Sequence, residues 1–135
     1  MGLCSCSFEK STDIPSVAGE TFTELKNAFD NGDVINVICT IPYSGTPQTY
    51  EIGYPEIIEN LVSGLENMKL GKEVSVRVTD ADYIVTFESS EGQQFTFAFE
   101  DKNFVFNDIV YETTEAEDFW SNVDDVFRFG EPADK

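Results

Sequence analysis

The sequence has no histidine, and only 8 Lys and Arg stand against 26 Asp and Glu. Without His, the chain lacks the commonest general base, the commonest zinc ligand and the usual pH switch. So few cations cannot easily build the basic face that neutralises phosphates, which excludes an unaided nucleic-acid binder. A polybasic membrane-surface binder is excluded for the same reason. The three Cys are an odd number, so a complete internal disulfide framework is impossible and a reducing, cytoplasmic compartment is expected. No apolar stretch approaches the roughly 20 residues of a membrane span. The first residues lack the basic and apolar regions of a secretory signal.

What remains is an acidic chain with a core. The net charge is −18 over 135 residues, yet 41% of residues are hydrophobic and 12 are Phe. Disordered acidic tails are poor in aromatics, so this composition implies a folded domain. The length fits one domain. Residues 1–18 read as an arm or first edge strand, 19–130 as the domain, and 131–135 as a tail.

Hydrophobic periodicity gives the elements. Thr21-Phe22-Thr23-Glu24 has capping-box spacing and predicts a helix to Asp30, with Phe22, Leu25 and Phe29 on one side. Val34–Ile41 and Gln48–Ile52 read as strands around a Pro42–Pro47 turn. Pro55 suits the first position of a second helix, whose apolar face is Ile57, Ile58, Leu61, Val62, Leu65 and Met68. Gly71 is placed to cap it, and Gly64 inside it marks either close packing or simply a weak spot. Four strands in meander order are then expected, carrying Val74–Val78, Tyr83–Phe87, Phe95–Phe99 and Phe104–Tyr111. Thr114–Glu117 again has capping-box spacing, opening a third helix through Phe119, Val123, Val126 and Phe127 that Gly130 and Pro132 stop. The expected fold is α+β in the order α-β-β-α-β-β-β-β-α, an antiparallel sheet packed against helices.

Motifs for chemistry are few. Cys39 lies in an apolar run and reads as a buried thiol. There is no nucleophile elbow and no phosphate-cradling Gly-rich loop. Asp30-Asn31-Gly32-Asp33 and Asp80-Ala81-Asp82 hold clustered carboxylates, but neither continues into a calcium-loop ligand series, so both read as turns. No metal or cofactor is expected. Gly2, Cys4 and Cys6 form an imperfect lipidation pattern, for which an ordinary arm is the plainer reading.

The acids carry more information. No cation occurs from Asn27 to Met68 or from Asn103 to Phe127. Glu56, Glu59 and Glu66 share the outer face of the second helix. Glu115, Glu117, Asp118, Asp124 and Asp125 crowd the third. Acids three or four residues apart on a helix are separated by about 4.5–6 Å along its axis. The phosphates of one DNA strand repeat at about 3.4 Å. A surface kept only for solubility normally mixes both signs.

The expected function is therefore a non-enzymatic, nucleic-acid-mimic inhibitor that binds the basic, nucleic-acid-facing surface of another protein. Phage anti-CRISPR and anti-restriction proteins and nuclease-toxin immunity proteins share this charge profile as a class, without a shared motif. The alternatives are a structural or adaptor module whose acidity serves solubility and, last, an enzyme using carboxylates and a divalent metal.

Overall fold

A computed structural model describes residues 12–41, 48–74, 83–100, 102–107 and 109–133. Among them, one antiparallel sheet packs against helices, an α+β fold. The chain runs β1 (Thr12–Asp13), α1 (Ile14–Ala18), α2 (Glu20–Asp30), β2 (Val34–Ile41), β3 (Gln48–Ile52) and α3 (Pro55–Asn67). It continues through β4 (Lys69–Val74), β5 (Tyr83–Ser89), β6 (Gln94–Glu100), β7 (Asn103–Phe106), β8 (Ile109–Thr114), α4 (Glu117–Phe129) and β9 (Glu131–Pro132). The strands lie in the order β9-β3-β2-β5-β6-β7-β8-β4-β1.

The period of two in the sequence divides the sheet's faces. Val37, Cys39, Val85, Phe87, Phe95, Phe97, Phe99 and Phe104 point inward and are buried. They form one core with Leu25 of α2, Leu61 and Leu65 of α3, and Phe119, Val123 and Val126 of α4. Phe99 joins sheet to helix: its ring centroid lies 5.6 Å from Phe104, 5.3 Å from Phe119 and 5.1 Å from Trp120. On the opposite face, polar pairs cross between strands, including Thr49 to Thr40, Thr86 with Thr96 and Gln94 to Glu88.

α3 and α4 pack tightly because Gly64 leaves room for Phe119. A Cβ at position 64 would lie 2.9 Å from the Phe119 Cβ and 3.1 Å from its Cα. The helices run antiparallel. Gly64 meets Phe119, Asn60 donates to the Asn122 side chain at 3.4 Å, and Tyr54 before α3 shares a cavity with Phe129 at the end of α4.

Several expectations need correcting. The capping box at Thr21–Glu24 does not form: α2 begins at Glu20 after Gly19, whose φ of 57° turns the chain out of α1. That short α1 buries Ile14 and Ala18 and is capped by Asp13, which accepts from the Ser16 amide. Gly71 does not end α3. Met68 is the C-cap, and Gly71 lies in β4 beside Glu112, where the β4–β8 register shifts. The last expected strand is two, because Asn107 takes a φ of 53° and folds β8 back on β7. β4 pairs with β8 and β1, so the meander proper is β5 to β8 with β4 returning at its far side. The second capping box also fails: Thr114 ends β8, Glu115 takes a φ of 58°, and Ala116 is the N-cap. Glu131 and Pro132 pair with Glu51 and Tyr50 at the sheet's edge. The Pro42–Pro47 turn, the alternation from Ser75 to Thr79 and the Asp80-Ala81-Asp82 turn lie outside the described residues, as do Gly2, Cys4 and Cys6.

Ala in a helix normally gains about 1 kcal/mol over Gly. Gly64→Ala is expected to do the reverse, losing about 1–2 kcal/mol through overpacking against Phe119. Urea unfolding measures it; a more stable variant would contradict the tight α3–α4 contact.

Candidate acidic interface

The acids singled out from sequence are on the surface. Glu56, Glu59 and Glu66 of α3 are exposed, as are Glu115, Glu117, Asp118 and Asp124 around α4, while Asp125 is half-buried. Helical spacing sets their neighbours. On α4, the residues Asp118, Asn122 and Asp125 follow one another along the stripe next to α3, and Phe129 extends it. Glu117, Ser121 and Asp124 lie on the side away from that seam. α3 and α4 are antiparallel and adjacent, and the α3 side chains at their seam are the neutral Asn60, Ser63 and Asn67; Glu56 lies one turn before Asn60, while helical spacing turns Glu59 and Glu66 to the flank of α3 away from Gly64.

The middle of the seam is polar. Asn60, Ser63 and Asn67 of α3 face Glu115, Asp118 and Asn122 across a cavity of about 330 Å³. Asn122 donates to the Asp118 carbonyl at 2.8 Å, which holds its amide in place for Asn60. Glu117 and Asp118 sit in the first turn of α4, where the helix dipole favours them.

Internal compensation of this charge is small. Among the described residues, one ion pair forms, Lys26 to Asp30 within α2 at 3.5 Å. Lys102 sits 5.5 Å over the Trp120 ring, and Arg128 sits 5.8 Å over Phe129. Glu51 and Glu88 are held by the Asn36 amide, which donates to them at 2.8 and 3.3 Å. That amide bridge steadies two neighbouring carboxylates without cancelling either charge.

A second cavity of about 530 Å³ flanks α4, lined by Lys102, Thr113, Glu115, Glu117, Trp120 and Asp124 among others. The Trp120 Nε1 is buried and has no hydrogen-bond partner among the described residues. Asp30-Asn31-Gly32-Asp33 is the C-terminal turn of α2. The amides of Asn31, Gly32 and Asp33 donate back to Asn27, Phe29 and Ala28, and Gly32 has a φ of 76°. No group of three or more His, Cys, Asp or Glu among the described residues is arranged to hold a metal ion. No helix among them is long and apolar enough to cross a membrane.

Cys39 is fully buried, and burial pushes its thiol from 9.0 up to about 12. At neutral pH it is therefore a protonated core side chain, not a nucleophile. The stability it contributes as a neutral thiol is complete below pH 9.0 and is lost as the pH rises towards about 12.

Sequence reasoning missed Tyr54, Phe129 and the Asn60–Asn122 seam. A signal for Phe129 was present: it falls on the same helical stripe as Asp118 and Asp125, an odd place for a large aromatic. The seam needed the partner helix to be known. Comparison with known proteins found no matching family model, no matching curated protein and no matching solved structure. The class defined by fold and surface is an antiparallel-sheet α+β protein with an acidic two-helix face.

Two outcomes follow. Raising NaCl from about 0.02 to about 0.5 M is expected to raise Tm by a few degrees, because salt screens repulsion that few internal pairs offset. A Tm that falls with salt would contradict that balance. Pulsed alkylation mapped by mass spectrometry is expected to label Cys39 only as fast as the protein unfolds globally; rapid labelling under native conditions would contradict its burial.

Proposed function

We propose that the protein is a non-enzymatic inhibitor of the nucleic-acid-mimic type, binding the basic, nucleic-acid-facing surface of another protein. The observation that carries this reading is the exposure of acids on two adjacent helices, Glu56, Glu59 and Glu66 on α3 and Glu117, Asp118 and Asp124 on α4. The absence of cations from the corresponding stretches of sequence supports it further. Glu56, Glu59 and Glu66 are the first contacts, with Asp118 and Asp125 across the seam. Glu115, Glu117 and Asp124 extend the field towards the Trp120 cavity. The mechanism is steric and electrostatic occupation of a groove built for a phosphate backbone. Long-range attraction speeds encounter, and salt weakens it. A reducing intracellular compartment, where a basic nucleic-acid-handling enzyme works, fits the reading.

Affinity capture at low and high salt tests it. Wild type should retain a basic nucleic-acid-binding protein at low salt and lose roughly tenfold or more in affinity at about 0.5 M NaCl. Reversal of Glu56, Glu59 and Glu66 to Lys should remove the partner at low salt while the fold persists. Capture indifferent to both treatments would end the proposal and favour an adaptor that binds through an apolar patch.

A further inference from the structure

Where α3 begins and α4 ends, two aromatic rings stand exposed beside acids. Among the described residues, four large hydrophobic side chains are exposed, and Tyr54 and Phe129 are the most exposed at 56% and 57%. Both line one cavity of about 280 Å³, where α3 begins and α4 ends. Exposing a side chain of this size forgoes about 1.5–3 kcal/mol of burial. A cluster of such residues marks a contact surface more often than scattered single ones do.

We propose that the exposed Tyr54 and Phe129 rings at this cavity pack against an apolar side chain from a basic segment of the partner protein, whose cations meet the Glu51 and Glu131 carboxylates. The inference rests on the acidic-face reading and gives that face its anchor. Charge complementarity names the occupant. Glu51 and Glu131 line the cavity with Asn36, whose amide also holds Glu88. Glu56 lies two residues beyond Tyr54, and Asp125 lies one helical turn before Phe129. Against these, Arg128 covers one side of the Phe129 ring. A second copy of this chain would bring another −18 charge to the same rim, so it is the wrong occupant. A basic segment with an apolar residue among its Lys and Arg matches both the rim and the centre. Interfaces draw most of their energy from such desolvated centres, with charged rims setting rate and specificity.

The cavity is also pre-organised. Gly130 allows α4 to end against β3: a Cβ there would lie 2.5 Å from the Val126 oxygen and 2.6 Å from that of Glu51. Glu131 then pairs with Glu51, and the Ala133 amide donates to Thr49 at 2.8 Å. The backbone beneath Tyr54 and Phe129 is therefore fixed before any partner arrives, which lowers the ordering cost of binding.

Two synthetic peptides test the proposal, acetyl-Lys-Arg-Leu-Arg-Lys-amide and its analogue with Ser in place of Leu. The Tyr54 and Phe129 ring protons report binding by NMR. At about 0.3 M NaCl, where rim charges are screened, the Leu peptide should bind roughly tenfold tighter and shift both rings. The double variant Tyr54→Ser, Phe129→Ser should bind both peptides equally, with the affinity that the wild type shows for the Ser peptide, while keeping the wild-type circular dichroism. Equal affinities in the wild type, or a Leu preference that survives in the double variant, would overturn the anchor. Reversal of Glu56, Glu59 and Glu66 to Lys addresses the underlying reading separately. It should weaken both peptides at low salt and spare the Leu preference at high salt. If neither peptide binds at low salt, both the anchor and the acidic-face reading fall.

Discussion

The contact between Gly64 and Phe119 is the constraint on which the rest of the surface depends. A side chain at position 64 would push α4 away from α3, because the atoms it meets include the Phe119 backbone. With glycine there, the helices lie close enough for Asn60 to reach Asn122. Phe119 is in turn held from below by Phe99, which also packs on Phe104 and Trp120. The Phe-rich strands thus fix the helix pair, and the helix pair fixes the geometry of the charge.

That charge is carried at a cost that the core offsets. A chain with 26 acids and one described internal ion pair repels itself. Most of the described acids are exposed, where water screens them, although one Glu100 carboxylate oxygen is buried. Where two must approach, as Glu51 and Glu88 do, an Asn amide stands between them. This arrangement leaves the field available to an external cation-rich surface. It also leaves the Tyr54 and Phe129 rings exposed beside a cavity lined by Glu51 and Glu131.

Much of the fold was legible because its elements carry strong periods. The alternating Phe95, Phe97 and Phe99 and the helical stripe from Ile57 to Met68 could only be a strand and a helix. Errors gathered where local chemistry was weak or ambiguous. Thr21–Glu24 has the residues of a capping box, but the preceding α1 and Gly19 start the helix one residue earlier. The turn at Asn107 carries no glycine or proline, so Phe104–Tyr111 read as one strand. The strand expected from Val74 to Thr79 shares only Val74 with β4, and the non-local pairing of β4 with β8 is invisible to periodicity. The acidic residues themselves were legible as two helix faces. Their neighbourhood was not, since it depends on the α3–α4 crossing, and neither was the Tyr54–Phe129 cavity, which assembles residues from β2, β3 and both helix ends.

The most direct measurement of the account is a footprint of the bound complex. Hydrogen exchange of the protein alone and with a captured basic partner would locate the covered surface. The account predicts protection along the outer faces of α3 and α4, from Glu66 and Asp118 to Tyr54 and Phe129, with the β1 edge and the Thr86–Thr96 face of the sheet unchanged. Protection confined to that sheet face or to the β1 edge, with α3 and α4 exchanging as in the free protein, would contradict it.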